Sequence, residues 1–400
     1  MSIPVRYGVF VCCLVSLAFS GPAVSGRSGH PTSTNVDLIA HEWGTFTSIA
    51  GRDGRAVEWS PTSGPEDLPR FVEHFRTADF KGGLRGTVRM ETPVLYFYSS
   101  NETTVSVKVS FAQGLLTEWY PHASHIEPNE VLSPTVLLDG ERNGSIAWNS
   151  VTVSPGLAVN LPQDDSQNHY YAARETGAAP LLVKTKQGVQ QEKFLFYRGV
   201  SVFSVPVAAE SMADGKVRVR NLGMEEIPEI ILFERRGEKL GCRIGGALQS
   251  ETKLDPPELT STVESIGRDL EDVLIGRGLY PDEAHAMIET WKKSWFEQGS
   301  RLFYIVPPTF VSAVLPLSIR PAPAQINRVF VGRLELITSA TEQEVETALA
   351  KHDGLIFRTY GRFFQPILEE LQKKHPDRTA QIDRDLGQTY IAPAPDPAVK

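Results

Sequence analysis

Cysteine is scarce. The 400 residues hold three, and two of them, Cys12 and Cys13, lie inside an apolar N-terminal run. Beyond that run only Cys242 remains, so the rest of the chain forms no internal disulfide and must draw its stability from core burial. With no histidine near it in sequence, Cys242 reads as a small apolar residue rather than a nucleophile. Positive charge is also in deficit. Forty Lys and Arg against 48 Asp and Glu give a net charge of -8, the wrong balance for a protein that lives on phosphate backbones, so no nucleic-acid partner is expected. Long hydrophobic runs are missing after the N-terminus, and no membrane span is expected there. Also absent are a Walker loop, a GxSxG nucleophile elbow and a dinucleotide GxGxxG. His41-Glu42-Trp43-Gly44-Thr45 begins like a zinc-protease HExxH, but it lacks the second histidine and has the pattern of a strand.

What is present is an ordinary folded composition, 41% hydrophobic and 22% charged, which excludes disorder over most of the length. Residues 1–25 place Arg6 ahead of an apolar run from Tyr7 to Phe19, then the small residues Ser20, Gly21, Ala23 and Ser25. This is the layout of a secretory signal peptide cleaved after Ser20 or Ser25, and the run is too short for the roughly 20 residues that cross a bilayer. The expected location is secreted or periplasmic.

From residue 36 to about 250 the pattern has period two, and it predicts a β-sandwich-like domain. Val105, Val107, Val109 and Phe111 share one face of a strand; with the preceding Val94–Tyr98 run and a Ser99–Glu102 turn they read as a hairpin. Near Pro256-Pro257 the period changes. Leu259, Val263, Ile266, Leu270 and Leu274 form one helical face, and Ala284, Met287, Ile288, Trp291 and Trp295 another, together a helical hairpin. Residues 251–375 are expected to form an α/β region packed on the sandwich. Thr341 with Glu344 suggests a capping box, Pro366 a kink, and 376–400 a disordered tail. The fold class is therefore α+β: an antiparallel β-sandwich core carrying a helical hairpin and C-terminal helices.

Three β-region segments carry chemistry. As a strand, 36–43 turns Glu42 to one face and His41 to the other, both among apolar neighbours. A buried Glu42 needs an Arg, a His or a metal beside it. In 117–125, Glu118 lies in extended chain and His122 and His125 in the following loop. In 169–176, read as extended, His169 and Glu175 share a face and Arg174 opposes them, a candidate partner for Glu42 or for an anionic ligand. Imidazole with carboxylate is the ligand set of a catalytic zinc or non-haem iron site with an open water position. A second use of the same region is sugar binding, through the pairs Glu42-Trp43, Glu58-Trp59 and Glu118-Trp119 and through Tyr96, Tyr98, Tyr120, Tyr170 and Tyr171. His285 and Glu289 read as solvated, and the basic patch from Lys81 to Arg89 as loop.

The stretches at 41–48 (HEWGTFTS), 90–98 (METPVLYFY), 117–121 (TEWYP), 194–199 (FLFYRG), 290–296 (TWKKSWF) and 330–335 (FVGRLE) resemble a family of secreted bacterial proteins of unknown function. The resemblance covers most of the chain and implies one integrated unit. It brings no catalytic residue and no substrate.

The leading expectation is a metal-dependent hydrolase. A divalent ion, zinc first, is held by two or more of His41, His122, His125 and His169; Glu42 or Glu118 is the general base, and Arg174 steadies a small-molecule or glycan substrate. The alternative is a non-catalytic glycan-binding or envelope scaffold protein.

Overall fold

A computed structural model describes residues 37–62, 67–75, 84–128, 143–165 and 168–391. The signal-like run and residues 392–400 lie outside the described residues. In chain order the first strands are β1 (Leu38–Ala50), β2 (Glu73–His74), β3 (Val88–Ser99), β4 (Thr103–Phe111), β5 (Gly114–Tyr120), β6 (His125–Glu127), β7 (Gly144–Val153), β8 (Leu181–Thr185) and β9 (Gly188–Glu192). They are followed by β10 (Leu195–Ser201), β11 (Val207–Ser211), β12 (Val217–Asn221), β13 (Ile227–Arg236), β14 (Lys239–Leu248), β15 (Glu251–Leu254), β16 (Gly299–Ile305), β17 (Leu317–Arg320) and β18 (Gln325–Leu336).

Nine strands make the main sheet, in the order β14-β13-β16-β18-β1-β3-β10-β5-β2. It is antiparallel except where β1 meets β18 in parallel. The central β1 is apolar on both faces because both are covered. One face, with Leu38, Ala40 and Phe46, packs against the inner faces of two smaller sheets, β17-β4-β7-β8-β9 and β11-β12-β15, in a core that includes Val107, Trp148, Val151 and Val219. This is the sandwich. Strands from both sides of the change in period near residue 256 build the main sheet.

The opposite face is covered twice. Helices α1 (Val263–Gly276) and α2 (Pro281–Trp295) form the expected hairpin. Their apolar faces, Ile266, Leu270 and Leu274 with Ala284, Met287, Ile288, Trp291 and Trp295, close over Trp43, Val94, Tyr96, Phe196 and Val331. After α3 (Pro308–Val314), the C-terminal helices α4 (Ser339–Ala350), α5 (Leu355–Tyr360), α6 (Phe364–Lys374) and α7 (Thr379–Ile391) cover Ile49 and Trp59 with a second apolar cluster. Among the described residues no helix is long and apolar enough to cross a membrane.

Several local expectations are corrected. β3 and β4 do not form a hairpin: β3 pairs with β1 and β10, β4 with β7 and β17, so the turn carries the chain from one layer of the sandwich to the other. Period two identifies a strand's faces but not its sheet. The cap of α4 is Thr338, whose side chain accepts from the Thr341 backbone N–H, three residues before the expected start. Pro366 sits in the first turn of α6, where its missing N–H leaves no bond unmade, so it causes no kink. Residues 379–391, expected in a disordered tail, are helical. Arg89 is not in a loop but is buried in β3.

Candidate functional site

The alternation of β1 sends His41 under the helical hairpin and Glu42 into the sandwich core. His41 Nδ1 lies 2.8 Å from Glu283 of α2. An ionised carboxylate only accepts, so Nδ1 carries the hydrogen. Glu283 also accepts from the Tyr98 hydroxyl at 2.8 Å and the Tyr280 backbone N–H at 2.8 Å. On the other face, Glu42 is fully buried; it accepts from the Tyr197 hydroxyl and, at 2.5 Å, from Arg328 Nε. Its partner is therefore Arg328 and not Arg174.

Arg174 is not in an extended segment. Residues His169–Arg174 form a 3-10 helix capped by Asn168, whose side chain accepts from the Tyr170 N–H. That turn brings Arg174 back over Phe71, Tyr170 and Tyr171 and against Glu192, with Nη2 to Oε2 at 2.6 Å. His122 lies in the expected loop, but His125 opens β6 and pairs with Ala147; both are half exposed, with His122 Nδ1 2.9 Å from Glu73 and His125 Nε2 3.0 Å from Glu127. Each imidazole thus has its own partner. No group of three or more His, Cys, Asp or Glu side chains among the described residues is placed to hold a metal. His285 is paired with Glu271 at the surface, and Cys242 is half-buried, its thiol pushed up by burial and by Asp269.

Two predicted residues share a neighbour, Arg198. Glu118 on β5 is the cross-strand partner of Arg198 on β10, and Arg198 Nη2 donates to His169 Nε2 at 3.3 Å. Arg198 is 1% exposed; Nη1 binds Asp67 at 2.7 Å, and Nη2 also reaches Thr92 Oγ1 at 3.3 Å. A guanidinium cannot accept, so His169 presents a lone pair at Nε2 and its hydrogen is on Nδ1. The imidazole also lies 5.4 Å from the Trp291 ring. Burial first, then Arg198, push its pKa from 6.5 down to about 4. Burial would raise the Asp67 carboxyl, but Arg198 and Arg89 more than offset it and hold the group far below the ordinary carboxylate range.

This cluster is one end of a charged belt across the helix-covered face of the sheet, in the gap between the two apolar clusters. Next along it, Glu91 accepts from Thr47 at 2.9 Å and is ion-paired to Arg362. Burial opposes its ionisation, yet Arg362 and Arg89 bring its pKa down to about 2. Beyond β1, Arg333 contacts Glu297 at 2.5 Å and Glu335 at 2.6 Å, and Arg301 contacts Glu335 at 2.8 Å. The belt balances: Arg89, Arg198, Arg301, Arg333 and Arg362 face Asp67, Glu91, Glu118, Glu297 and Glu335. Thr92, at its centre, adopts a left-handed φ of 46°. The registers of β1 and of β10 against β3 both shift beside it. A bulge and a strained non-glycine residue are features that gather at functional sites.

At the Asp67 end the belt opens into a cleft of about 240 Å³, lined by Asp67, Leu68, Pro69, Arg70, Val72, His74 and Glu118. Sequence reasoning found Glu118 and His169 but missed Asp67, His74 and Arg198. Asp67-Leu68-Pro69 looks like any surface turn, and Arg198 follows an apolar strand as an outward-facing charge would. The acid-tryptophan pairs do not form a stacking surface: Trp43, Trp59 and Trp119 are all buried.

No protein-family model and no curated protein matches the chain. Among solved structures, the yeast delta-COP-I mu-homology domain complexed with a WxWxV peptide aligns over 75% of this chain and 96% of that one, at 8% identity and a TM-score of 0.25. The same yeast domain without the peptide aligns over 75% and 95%, at 8% identity and a TM-score of 0.24.

Proposed function

We propose that this is an exported, non-catalytic binding protein of the cell envelope, and that the Asp67–Glu118 cleft takes a neutral polyhydroxylated ligand, a glycan. The signal-like N-terminus is what supports export. The observation that carries the binding reading is the separate pairing of the candidate catalytic groups. His41 with Glu283, Glu42 with Arg328, His122 with Glu73, His125 with Glu127 and Arg174 with Glu192 are five pairs. Asp67 in the cleft, and His169 behind it across Arg198, hold fixed charge states across neutral pH. Proton transfer works best from a group whose pKa lies near the working pH, and these two lie well below it. A fixed array of donors and acceptors suits hydroxyl recognition, with Leu68, Pro69 and Val72 as the apolar wall for a sugar's C–H face. A neutral ligand fits because the cleft presents both signs of charge, Asp67 and Glu118 with Arg70, and no excess that would select an ion of one sign.

Calorimetry of the mature chain with maltotriose and with the N-acetylglucosamine trimer tests this, alongside elemental analysis. One trisaccharide should bind, Glu118→Gln should weaken it at least tenfold, and the protein should stay folded after chelation. The reading is overturned if neither sugar binds. It is equally overturned by one tightly held transition metal per chain together with a hydrolytic activity that Glu118→Gln abolishes.

A further inference from the structure

A second and larger cleft, of about 680 Å³, opens where β1 begins and β3 ends, and it shares no lining residue with the first. Its floor is the cross-strand pair Ile39 and Tyr98. Tyr98 commits its hydroxyl to Glu283 at 2.8 Å, so the cleft is offered an aromatic wall rather than a donor. Val159, Ala178 and Ala179 extend the apolar surface. Two opposite charges stand among these apolar groups. Asp37 is exposed and accepts one hydrogen bond, from Ser100 at 2.8 Å, through Oδ2. Lys193 donates to the Thr176 carbonyl at 2.8 Å, which leaves two of its three ammonium hydrogens to give. Between them runs irregular chain in which the main-chain groups of Ala158 and Val159 have no hydrogen-bond partner among the described residues.

We infer that this cleft binds a short peptide with both termini free. The ammonium group of such a peptide meets Asp37 and its carboxylate meets Lys193. Its main chain pairs with Ala158 and Val159 as an added strand does, and small apolar side chains rest on Ile39 and Tyr98. The charge pair argues for a zwitterion over a simple anion or cation, and the volume falls in the range of small-ligand sites. A long polypeptide cannot present both termini to one cleft, so the ligand is short.

The probe is trialanine, titrated calorimetrically into the mature chain at pH 7, with N-acetyl-trialanine amide as the blocked control. Trialanine should bind in the millimolar range or tighter, the blocked peptide at least tenfold more weakly, and Asp37→Asn and Lys193→Met should each cost about tenfold in affinity. Lys193→Met also removes the bond to Thr176 and can fail to fold. Val159→Trp, which fills the cleft from an irregular segment, is the second variant and should abolish binding. The inference is wrong if trialanine gives no signal at about 10 mM, if the blocked peptide binds equally well, or if Asp37→Asn and Val159→Trp leave affinity unchanged. Trisaccharide binding by Val159→Trp is measured in parallel. Its persistence when peptide binding fails shows that the glycan reading of the other cleft stands independently.

Discussion

Replacing His169 tests whether the belt is built around a neutral imidazole. In the folded chain its pKa is about 4 against an ordinary 6.5, because burial and the adjacent Arg198 both oppose a second positive charge. Unfolding releases it to take up a proton at 6.5. Between those values the unfolded state binds one proton that the folded state refuses, so stability rises with pH through this window. The contribution is complete above 6.5, falls as pH drops, and is lost below about 4. The gap between the two pKa values is worth about 3 kcal/mol. Urea denaturation of wild type and His169→Gln at pH 7.5, 6.0, 5.0 and 4.5 measures it. Glutamine keeps an acceptor for Arg198 and cannot titrate. The carboxylates Glu91 and Asp67 lose their contribution only as pH falls below the ordinary carboxylate range, and they do so in both proteins, so they cancel in the comparison. The difference in stability between wild type and variant should shrink by about 2.5 kcal/mol from pH 7.5 to pH 4.5, most of the full gap. Parallel profiles for the two proteins would show that His169 titrates normally in the fold, and the description of the belt would have to be abandoned.

Glu42→Gln should destabilise the chain by about 3–5 kcal/mol in chemical denaturation, because it leaves the Arg328 guanidinium buried without its counter-charge; metal content should not change. Glu283→Ala removes the acceptor shared by His41, Tyr98 and the Tyr280 N–H, at a cost of about 3 kcal/mol or more, with Glu283→Gln restoring part of it. Gly332→Ala places a methyl 2.0 Å from the Tyr304 ring. It should lower the urea midpoint by the equivalent of about 1–3 kcal/mol, and Tyr304→Leu in the same chain should recover much of that loss.

How much of this could be read from residues alone depends on whether a local period or a distant partner decides the outcome. The helical hairpin was legible because Ile266, Leu270 and Leu274 and then Met287, Trp291 and Trp295 repeat at helical spacing, and every one of them is buried. β1 was legible because both of its faces are apolar. The 3-10 turn at His169 left a weak signal, Asn168 ahead of an Ala-Ala pair, which is a cap before helix-compatible residues. The apolar spacing Ile382, Leu386, Tyr390 marked α7, but the proline-rich end beyond it dominated the composition. The β3–β4 turn misled because turn chemistry is the same whether the chain doubles back within one sheet or crosses to another. The belt was the least legible of all. Arg198, Arg301 and Arg333 each interrupt an otherwise apolar strand as a solvent-facing residue does, and only the helices laid over that face turn them into buried ions.

The position of the belt follows from how the helices divide that face of the sheet. Two apolar clusters, under the hairpin and under the C-terminal helices, leave a strip where neither reaches. A strip of buried backbone and side chains between two helical groups needs partners on both sides, and arginine supplies several donors at once. Arg301 donates to the carbonyls of Trp295, Glu297 and Gln298 at the end of α2, and Arg333 reaches Ser294 and Glu297. Arg362, from the C-terminal helices, reaches Glu91 on β3. Each guanidinium therefore ties a helical group to the sheet in one orientation, where an apolar strip would allow sliding. Buried ion pairs contribute little net stability against a hydrophobic alternative, so the belt adds less to stability than its number of bonds suggests. The stretches at 41–48, 90–98, 117–121, 194–199, 290–296 and 330–335 supply parts of the belt: Thr47, Glu91 with Thr92, Glu118, Arg198, Ser294, and Arg333 with Glu335.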